Sequence, residues 1–256
     1  MNAFNFISPK RIEKPRNIGV TMVLDKGLGF NTAKDLMALS GEYVDYVKFG
    51  WGTISIHDRK IIQEKIDMYH DYEIHAYPGG TLFELAYMKD KISEYYAEAH
   101  SLGFDTIEIS NGSLDINDEE KQRFISEACD EGFHVISEVG KKDPKLDASI
   151  SLEDRVRVVK EELAAGSDYV IIEAREGGKN VGIFDSKGKV MASDAEYLID
   201  NLPQENVIWE APQKDQQIYF ILNVGQNVNL GNISSDEITS LETLRRGLRG
   251  DTIGKF

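Results

Sequence analysis

Cysteine is nearly absent. Cys129 stands alone in 256 residues, which excludes a disulfide framework and a cysteine-built metal site and fits a reducing compartment. Long apolar runs are absent as well. No stretch reaches 18 consecutive apolar residues, so nothing reads as a membrane span, and residues 1–16 lack the apolar core of a signal peptide. A cytoplasmic protein is therefore expected. Positive charge is scarce: 29 Lys and Arg against 44 Asp and Glu give a net charge of −15. Such a surface repels nucleic acid and anionic lipid, so any anionic ligand needs a local field of opposite sign. A Ser-His-Asp set, a nucleophile elbow, a P-loop and a GxGxxG after the first strand are all missing. Hydrolase, kinase and dehydrogenase chemistry therefore lack support. The five histidines form no constellation. His75 shares the parity of Tyr77 on one strand and reads as a satisfied interior residue rather than a base.

What is present is a regular alternation. Short β-rich runs begin near Ile18, Asp45, Glu73, Asp105, Phe133, Asp168, Asn206 and Asn227, and most are followed by a stretch of helical period. Leu152, Val156, Val159 and Leu163 make one apolar helical stripe. Phe124, Ile125, Ala128 and Cys129 make another, which reads Cys129 as a helix-packing residue and not a nucleophile. Gly103, Gly132 and Gly166 sit where helices end before the next strand, the position of a left-handed cap. Eight βα units within residues 1–256, undivided by any linker, predict a single (β/α)8 TIM barrel of the α/β class. An open doubly wound sheet is the weaker alternative. One connection, residues 176–193, is long and contains a hairpin signal at Asp185 to Gly188. It reads equally as a lid or a decorated surface loop.

Strand parity then sorts inward from outward side chains. Val47 and Phe49 face the helices, so Lys48 and Gly50 face the axis. Ile107 and Ile109 outward put Glu108 and Ser110 inward. The same test sends Glu138, Glu173, Arg175 and Glu210 to the axis at the carboxyl ends of their strands, where barrel enzymes keep their chemistry. Glu108, Glu138, Glu173 and Glu210 cannot all stay ionised there without compensation. Two solutions are open: Mg²⁺ held by glutamate oxygens, or pairing with Lys48, Lys141, Lys142 and Arg175. Lys26 follows the first strand and Lys214 opens the helix after the seventh. With the others they make six cations converging on one face, an anion-binding mouth. Continued alternation past Glu138 favours Lys142 over Lys141 for an inward role. Asn229, Gly231 and Asn232 lead from the last strand into Ser234 or Ser235 as a helix cap, a candidate phosphate seat. Gly79 and Gly80 form a tight turn whose amides could also approach an anion. Arg245, Arg246 and Arg249 close the final helix, either offsetting its dipole or contacting phosphate or a neighbouring subunit.

The stretches VLDKG at 23–27, VKFGWGT at 47–53, YPGGTLFE at 77–84, EVGKK at 138–142, EAPQK at 210–214 and SLETLRRGLRGDT at 240–252 resemble the phosphosulfolactate synthase family. The resemblance runs in order from about Phe4 to the end. It implies a (β/α)8 barrel enzyme that adds sulfite to phosphoenolpyruvate with Mg²⁺, giving (2R)-phospho-3-sulfolactate for coenzyme M synthesis or sulfolactate production. On that reading Lys142, then Lys141, is the acid that protonates C2. Lys26, Lys48 and Arg175 with Gly79, Gly80, Asn229, Gly231 and Asn232 take the anionic substrates, and Glu108, Glu138, Glu173 and Glu210 take the metal. The partners are small molecules, phosphoenolpyruvate and sulfite, and a homo-oligomer is expected. Two other readings stay open on this scaffold: a Schiff-base lyase or aldolase, and a non-catalytic stress-related protein.

Overall fold

Strand and helix alternate along the whole chain because the apolar period switches between two and about 3.6 residues. The computed structural model describes residues 3–256, so Met1 and Asn2 of the amino-terminal stretch lie outside it. Eight strands form one parallel sheet: β1 (Thr21–Asp25), β2 (Tyr46–Phe49), β3 (His75–Pro78), β4 (Thr106–Ile109), β5 (His134–Val139), β6 (Tyr169–Ile172), β7 (Val207–Glu210) and β8 (Leu230–Ser234). All eight expected strands are present. Helix α1 (Phe30–Ser40) follows β1, α2 (Arg59–Asp71) follows β2, and α3 (Gly80–Met88) with α4 (Ile92–Leu102) follow β3. After β4 comes α5 (Asp118–Asp130), and after β5 come α6 (Pro144–Asp147) and α7 (Leu152–Ala165). Helices α8 (Ala192–Asn201), α9 (Lys214–Asn223) and α10 (Ile238–Arg245) follow the last three strands.

The strand order β3-β2-β1-β8-β7-β6-β5-β4 brings β3 and β4 together, so the ring is nearly closed and the predicted barrel is the observed one. No backbone ladder joins β3 to β4. Side chains hold that seam instead. At its amino end His75 Nδ1 lies 2.6 Å from Asp105 Oδ2, and at its carboxyl end the Gly80 N–H donates to Glu108 Oε1 at 2.8 Å. A Cβ on Gly80 would stand 2.4 Å from Ser110 Cβ, so only glycine lets α3 start this close to β4.

Parity divides the core in two. Outward residues such as Val47, Phe49, Ile107, Val135, Ile172 and Trp209 pack under the helices. Inward residues Met22, Tyr46, Tyr77, Ile136, Tyr169, Ile171 and Ile208 fill the barrel, so its axis is a packed core and not a pore. Each of these buried apolar side chains contributes about 1.5–3 kcal/mol relative to exposure. The amino-terminal stretch and α10 close the base. Arg245, fully buried, donates to the carbonyls of Gln226, Val228 and Val20, and Arg11 pairs with Glu242. Arg245 thus ties strand starts together and reaches neither the mouth nor solvent. Gly103 ends α4 with φ 93° as a left-handed cap. Cys129 is half-buried on α5 against the Gly166 carbonyl, and burial pushes its thiol up, away from reactivity. Among the described residues no helix is long and apolar enough to cross a membrane.

Candidate active site

The apolar filling of the barrel stops at Met22, Tyr77, Ile136, Ile171 and Ile208, and the next inward position on four successive strands or strand ends is glutamate. Glu108, Glu138, Glu173 and Glu210 are all essentially inaccessible to solvent. They line one cavity of about 160 Å³ with Leu24, Lys48, Gly50, Trp51, Gly79, Gly80, Thr81, Lys142, Arg175, Glu176 and Asn232.

Each glutamate has one oxygen fixed by the protein. Glu108 Oε1 accepts from Gly80 N–H at 2.8 Å, and Glu138 Oε1 from Ser110 Oγ at 2.9 Å. Glu173 Oε1 accepts from Arg175 N–H at 2.5 Å, and Glu210 Oε2 from Ala174 N–H at 2.8 Å. Their second oxygens face the cavity. Lys48 Nζ stands among them, 2.9 Å from Glu108 Oε2, 3.5 Å from Glu138 Oε2 and 3.7 Å from Glu210 Oε1. Burial alone would depress the Lys48 ammonium, but the charges of Glu108, Glu138 and Glu210 raise it well above the ordinary lysine range. One ammonium cannot offset four carboxylates. Burial, with the charges of Glu138 and Glu210, accordingly raises Glu173 well above the usual carboxylate range. Burial chiefly pushes Glu210 up to about 7. Glu138 moves the other way, to about 2, because Lys142 and Lys48 overcome the effect of its burial.

This donor set fits a hard divalent cation. Glu138, Glu173 and Glu210 each present an oxygen, and the three lie within 4.8 Å of one another. Glu173 Oε2 and Glu210 Oε1 are buried without a hydrogen-bond donor. Glu108 lies outside that triplet, its two oxygens already taken up by Gly80 and Lys48.

Lys142 points into the cavity. Its Nζ lies 3.4 Å from Thr81 Oγ1, 3.6 Å from Glu84 Oε2 and 3.9 Å from Glu138 Oε1. Its ammonium is raised above the ordinary range: burial opposes this, and Glu138, Glu173 and Glu84 outweigh it. Lys141 turns away. Its Nζ donates to the Asn111 and Leu114 carbonyls at 2.6 and 3.2 Å, and burial lowers it. Gly140, with φ 137°, ends the extended backbone between Glu138 and these lysines. Arg175, itself left-handed at φ 61°, lines the cavity and donates to the Lys142 carbonyl at 3.4 Å.

The other expected anion contacts divide. Asn232 lines the cavity, and its buried Oδ1 has no donor. Gly231 lies in the barrel filling, where a Cβ would stand 2.7 Å from Met22 Cε and 2.8 Å from Ile208 Cγ2. Asn229 is at the wrong end: its side chain accepts from Val20 N–H and donates to the Gln204, Glu205 and Val207 carbonyls at the strand starts. Gly79 and Gly80 line the cavity, but their amides already serve the Phe49 carbonyl and Glu108, so neither is free for an anion. Lys26 is exposed at the rim, 5.1 Å from the centre of the Trp51 ring, and Lys214 pairs with Asp251. Ser234 belongs to β8 and α10 begins at Ile238 without a side-chain cap, so the expected serine-capped seat is absent. The 185–188 hairpin is present, anchored by Asp185.

Two contributors escaped strand parity. Glu84 sits on α3, where it is one charged residue amid the apolar run TLFELAYM. Trp51, in the loop after β2, donates from Nε1 to Glu176 Oε2 at 3.0 Å across the mouth.

A protein-family model described as (2R)-phospho-3-sulfolactate synthase (ComA) matches residues 9–251. The phosphosulfolactate synthase of Methanothermobacter thermautotrophicus is 57% identical over 255 residues, covering 100% of this chain and 99% of the relative. That of Methanocaldococcus jannaschii is 52% identical over 237 residues, covering 93% and 94%. Among solved structures, a 3-hexulose-6-phosphate synthase superposes with a TM-score of 0.56 at 15% identity, covering 88% of this chain and 98% of that one, a likeness of fold alone.

Proposed function

This chain belongs to the phosphosulfolactate synthase family and is an enzyme of the carbon–sulfur lyase kind, and from that premise we propose that it adds sulfite to phosphoenolpyruvate with Mg²⁺, giving (2R)-phospho-3-sulfolactate. The observation that carries the reading is the pairing of a buried carboxylate triplet, Glu138, Glu173 and Glu210, with a protonated Lys142 in one cavity. Both substrates are anions. A mouth holding more glutamates than cations would reject them unless a further positive charge joined it. Glu138, Glu173 and Glu210 would hold Mg²⁺, which when bound would stabilise negative charge developing on the substrate carboxylate.

The chain's own residues supply the rest. Arg175 at the cavity wall offers a planar fork suited to an oxyanion. Lys48 keeps the glutamates in place from below, its charge committed to three of them. Sulfur attack at C3 forms the C–S bond and moves the double-bond electrons toward C2 and the carboxylate as an enediolate. Lys142 then gives its proton to C2. Held between Glu84 and Glu138, the ammonium approaches from one side only, which fixes the configuration at C2.

The test is product formation by purified protein from phosphoenolpyruvate, sulfite and Mg²⁺, followed by mass spectrometry with and without chelator. Phosphosulfolactate that vanishes on chelation and returns with Mg²⁺ supports the reading. Product that survives chelation removes the metal from it, and no product at saturating substrates removes the reaction.

A further inference from the structure

Glu84 touches no reacting atom in the reaction as described, yet it is buried and stands beside Lys142. It lies on the first two turns of α3 with a side chain 3% exposed. Its Oε1 accepts the N–H groups of Ser113 and Leu114 at 2.5 and 3.2 Å, which pins the carboxylate to the loop after β4. Its Oε2 is buried with no hydrogen-bond donor and stands 3.6 Å from Lys142 Nζ. An unmatched buried acceptor costs stability, and the group nearest to this one is the Lys142 ammonium.

Three further contacts define what the free oxygen does. Thr81, one turn earlier on the same face of α3, places Oγ1 3.4 Å from Lys142 Nζ. Glu138 Oε1 is 3.9 Å from Nζ on the β5 side. The Lys142 N–H donates to the Gly112 carbonyl at 2.9 Å, and a Cβ on Gly112 would meet Lys142 Cγ and Cε at 3.3 Å each. The lysine stem therefore lies along a glycine, and its ammonium is held between a helix and a strand.

We propose that Glu84, with Thr81, is a positioning residue that holds the Lys142 ammonium over the reacting carbon. Glu84 touches neither substrate nor metal in this scheme and acts only through Lys142. The inference rests on the reading of Lys142 as the proton donor. Without Glu84 the ammonium has Glu138 as its nearest remaining carboxylate and is drawn back toward the glutamate cluster. Substrate binding survives and proton delivery does not.

The experiment is a double-mutant cycle on the Mg²⁺-supplied full chain with Glu84→Gln, Lys142→Ala and the pair combined. Glutamine keeps an oxygen for Ser113 and Leu114 and loses the charge that holds Lys142. Glu84→Gln is expected to lower kcat about 10- to 100-fold, as loss of a supporting partner does. KM for phosphoenolpyruvate and the melting temperature are expected to stay near wild type. In the Lys142→Ala background the same change is expected to have no further effect, because residues acting as a unit are not additive. An undiminished kcat in Glu84→Gln, beside an inactive Lys142→Ala, overturns the proposal and leaves the proton-donor reading standing. Equal, additive losses in both backgrounds overturn it too, since they mean Glu84 acts independently. A fully active Lys142→Ala instead removes the reading on which the proposal rests. If Glu84→Gln fails to fold, Thr81→Val takes its place, with a smaller kcat loss expected and the same non-additivity.

Discussion

Asp25 and Asp147 on one side and the four glutamates of the mouth on the other are buried carboxylates of this barrel that are treated differently, with Glu162 of α7 between them, paired with Lys121 but without a hydrogen-bond donor. Asp25 faces outward from β1 and is fully provided for: Lys65 Nζ at 2.5 Å, Tyr69 Oη at 2.9 Å, and the amides of Gly27 and Leu28 at 2.9 and 2.8 Å. Asp147 is similarly satisfied by Arg155 at 2.8 Å and by the amides of Lys141 and Gly182. In the mouth, four glutamates share Lys48 and Lys142, and three of their oxygens, Glu108 Oε2, Glu173 Oε2 and Glu210 Oε1, have no hydrogen-bond donor, the first of them ion-paired with Lys48. A buried group with every partner in place is part of the scaffold. A buried group short of partners costs stability, and where it lines a cavity, as Glu173 and Glu210 do, a bound cation can complete it.

The contrast is most sharply exposed by truncating one lysine from each region. Lys142→Ala is expected to lower kcat by about 10²- to 10⁴-fold, the usual contribution of a positioned proton donor, with little change in melting temperature. Lys65→Ala is expected to do the reverse. It leaves Asp25 buried without its cation at a cost of about 3–5 kcal/mol, visible in urea unfolding, while folded protein keeps its turnover.

A smaller effect has opposite signs in the two regions. Between pH 4.5 and 7, Glu210 is protonated in the fold but would ionise in the unfolded chain, because burial chiefly raises it to about 7. The unfolded state therefore binds fewer protons there, and this group lowers stability as pH rises through that window. In chelator, Glu210→Gln is expected to overtake the wild type progressively over the same window, by up to about 3 kcal/mol, and to hold a constant lead above pH 7. Asp25→Asn is expected to lose stability at neutral pH, since it weakens a satisfied pair. Thermal unfolding at several pH values reads both. The smallest effect concerns the rim: Glu176→Gln weakens the Trp51 contact and is expected to change KM for phosphoenolpyruvate by only about twofold to fivefold, the scale of one hydrogen bond. Because Trp51 is 57% exposed while Trp209 is buried, tryptophan emission should report phosphoenolpyruvate binding through Trp51.

The barrel was legible in the sequence, the mouth only in part, and the Asp25 and Asp147 clusters not at all. Strand parity needs nothing but alternation, so Lys48, Glu108, Glu138, Glu173 and Glu210 are correctly sent inward from single apolar runs. Where the chain leaves strand geometry, parity has nothing to say. Gly140 breaks the extended backbone before Lys141 and Lys142, so alternation picks the lysine that does turn in, Lys142, without the strand geometry it assumes. Asn229 precedes a β8 that starts at Leu230, and the register of β8 on β1 slips between Thr21 and Val23. The three candidates in and just before that strand, Asn229, Gly231 and Asn232, consequently land at the base, in the filling and at the mouth. Gly79 and Gly80 are a tight turn, as read, but which acceptor takes their amides depends on β2 and β4 arriving beside them. Glu84 escaped notice because it lies on a helix, where a single charge in an apolar run looks like a solvated face.

The most direct test of the account is calorimetric titration of Mg²⁺, with phosphoenolpyruvate present, into wild-type protein and into Glu173→Gln, which removes one carboxylate from the triplet and leaves Asp25 and Asp147 untouched. The expected result is one Mg²⁺ per wild-type chain and at least tenfold weaker binding in the variant, with the fold unchanged by circular dichroism. Equal binding by the two proteins, or none by the wild type at millimolar Mg²⁺, would contradict the claim that the mouth's unmatched glutamates exist to hold a cation.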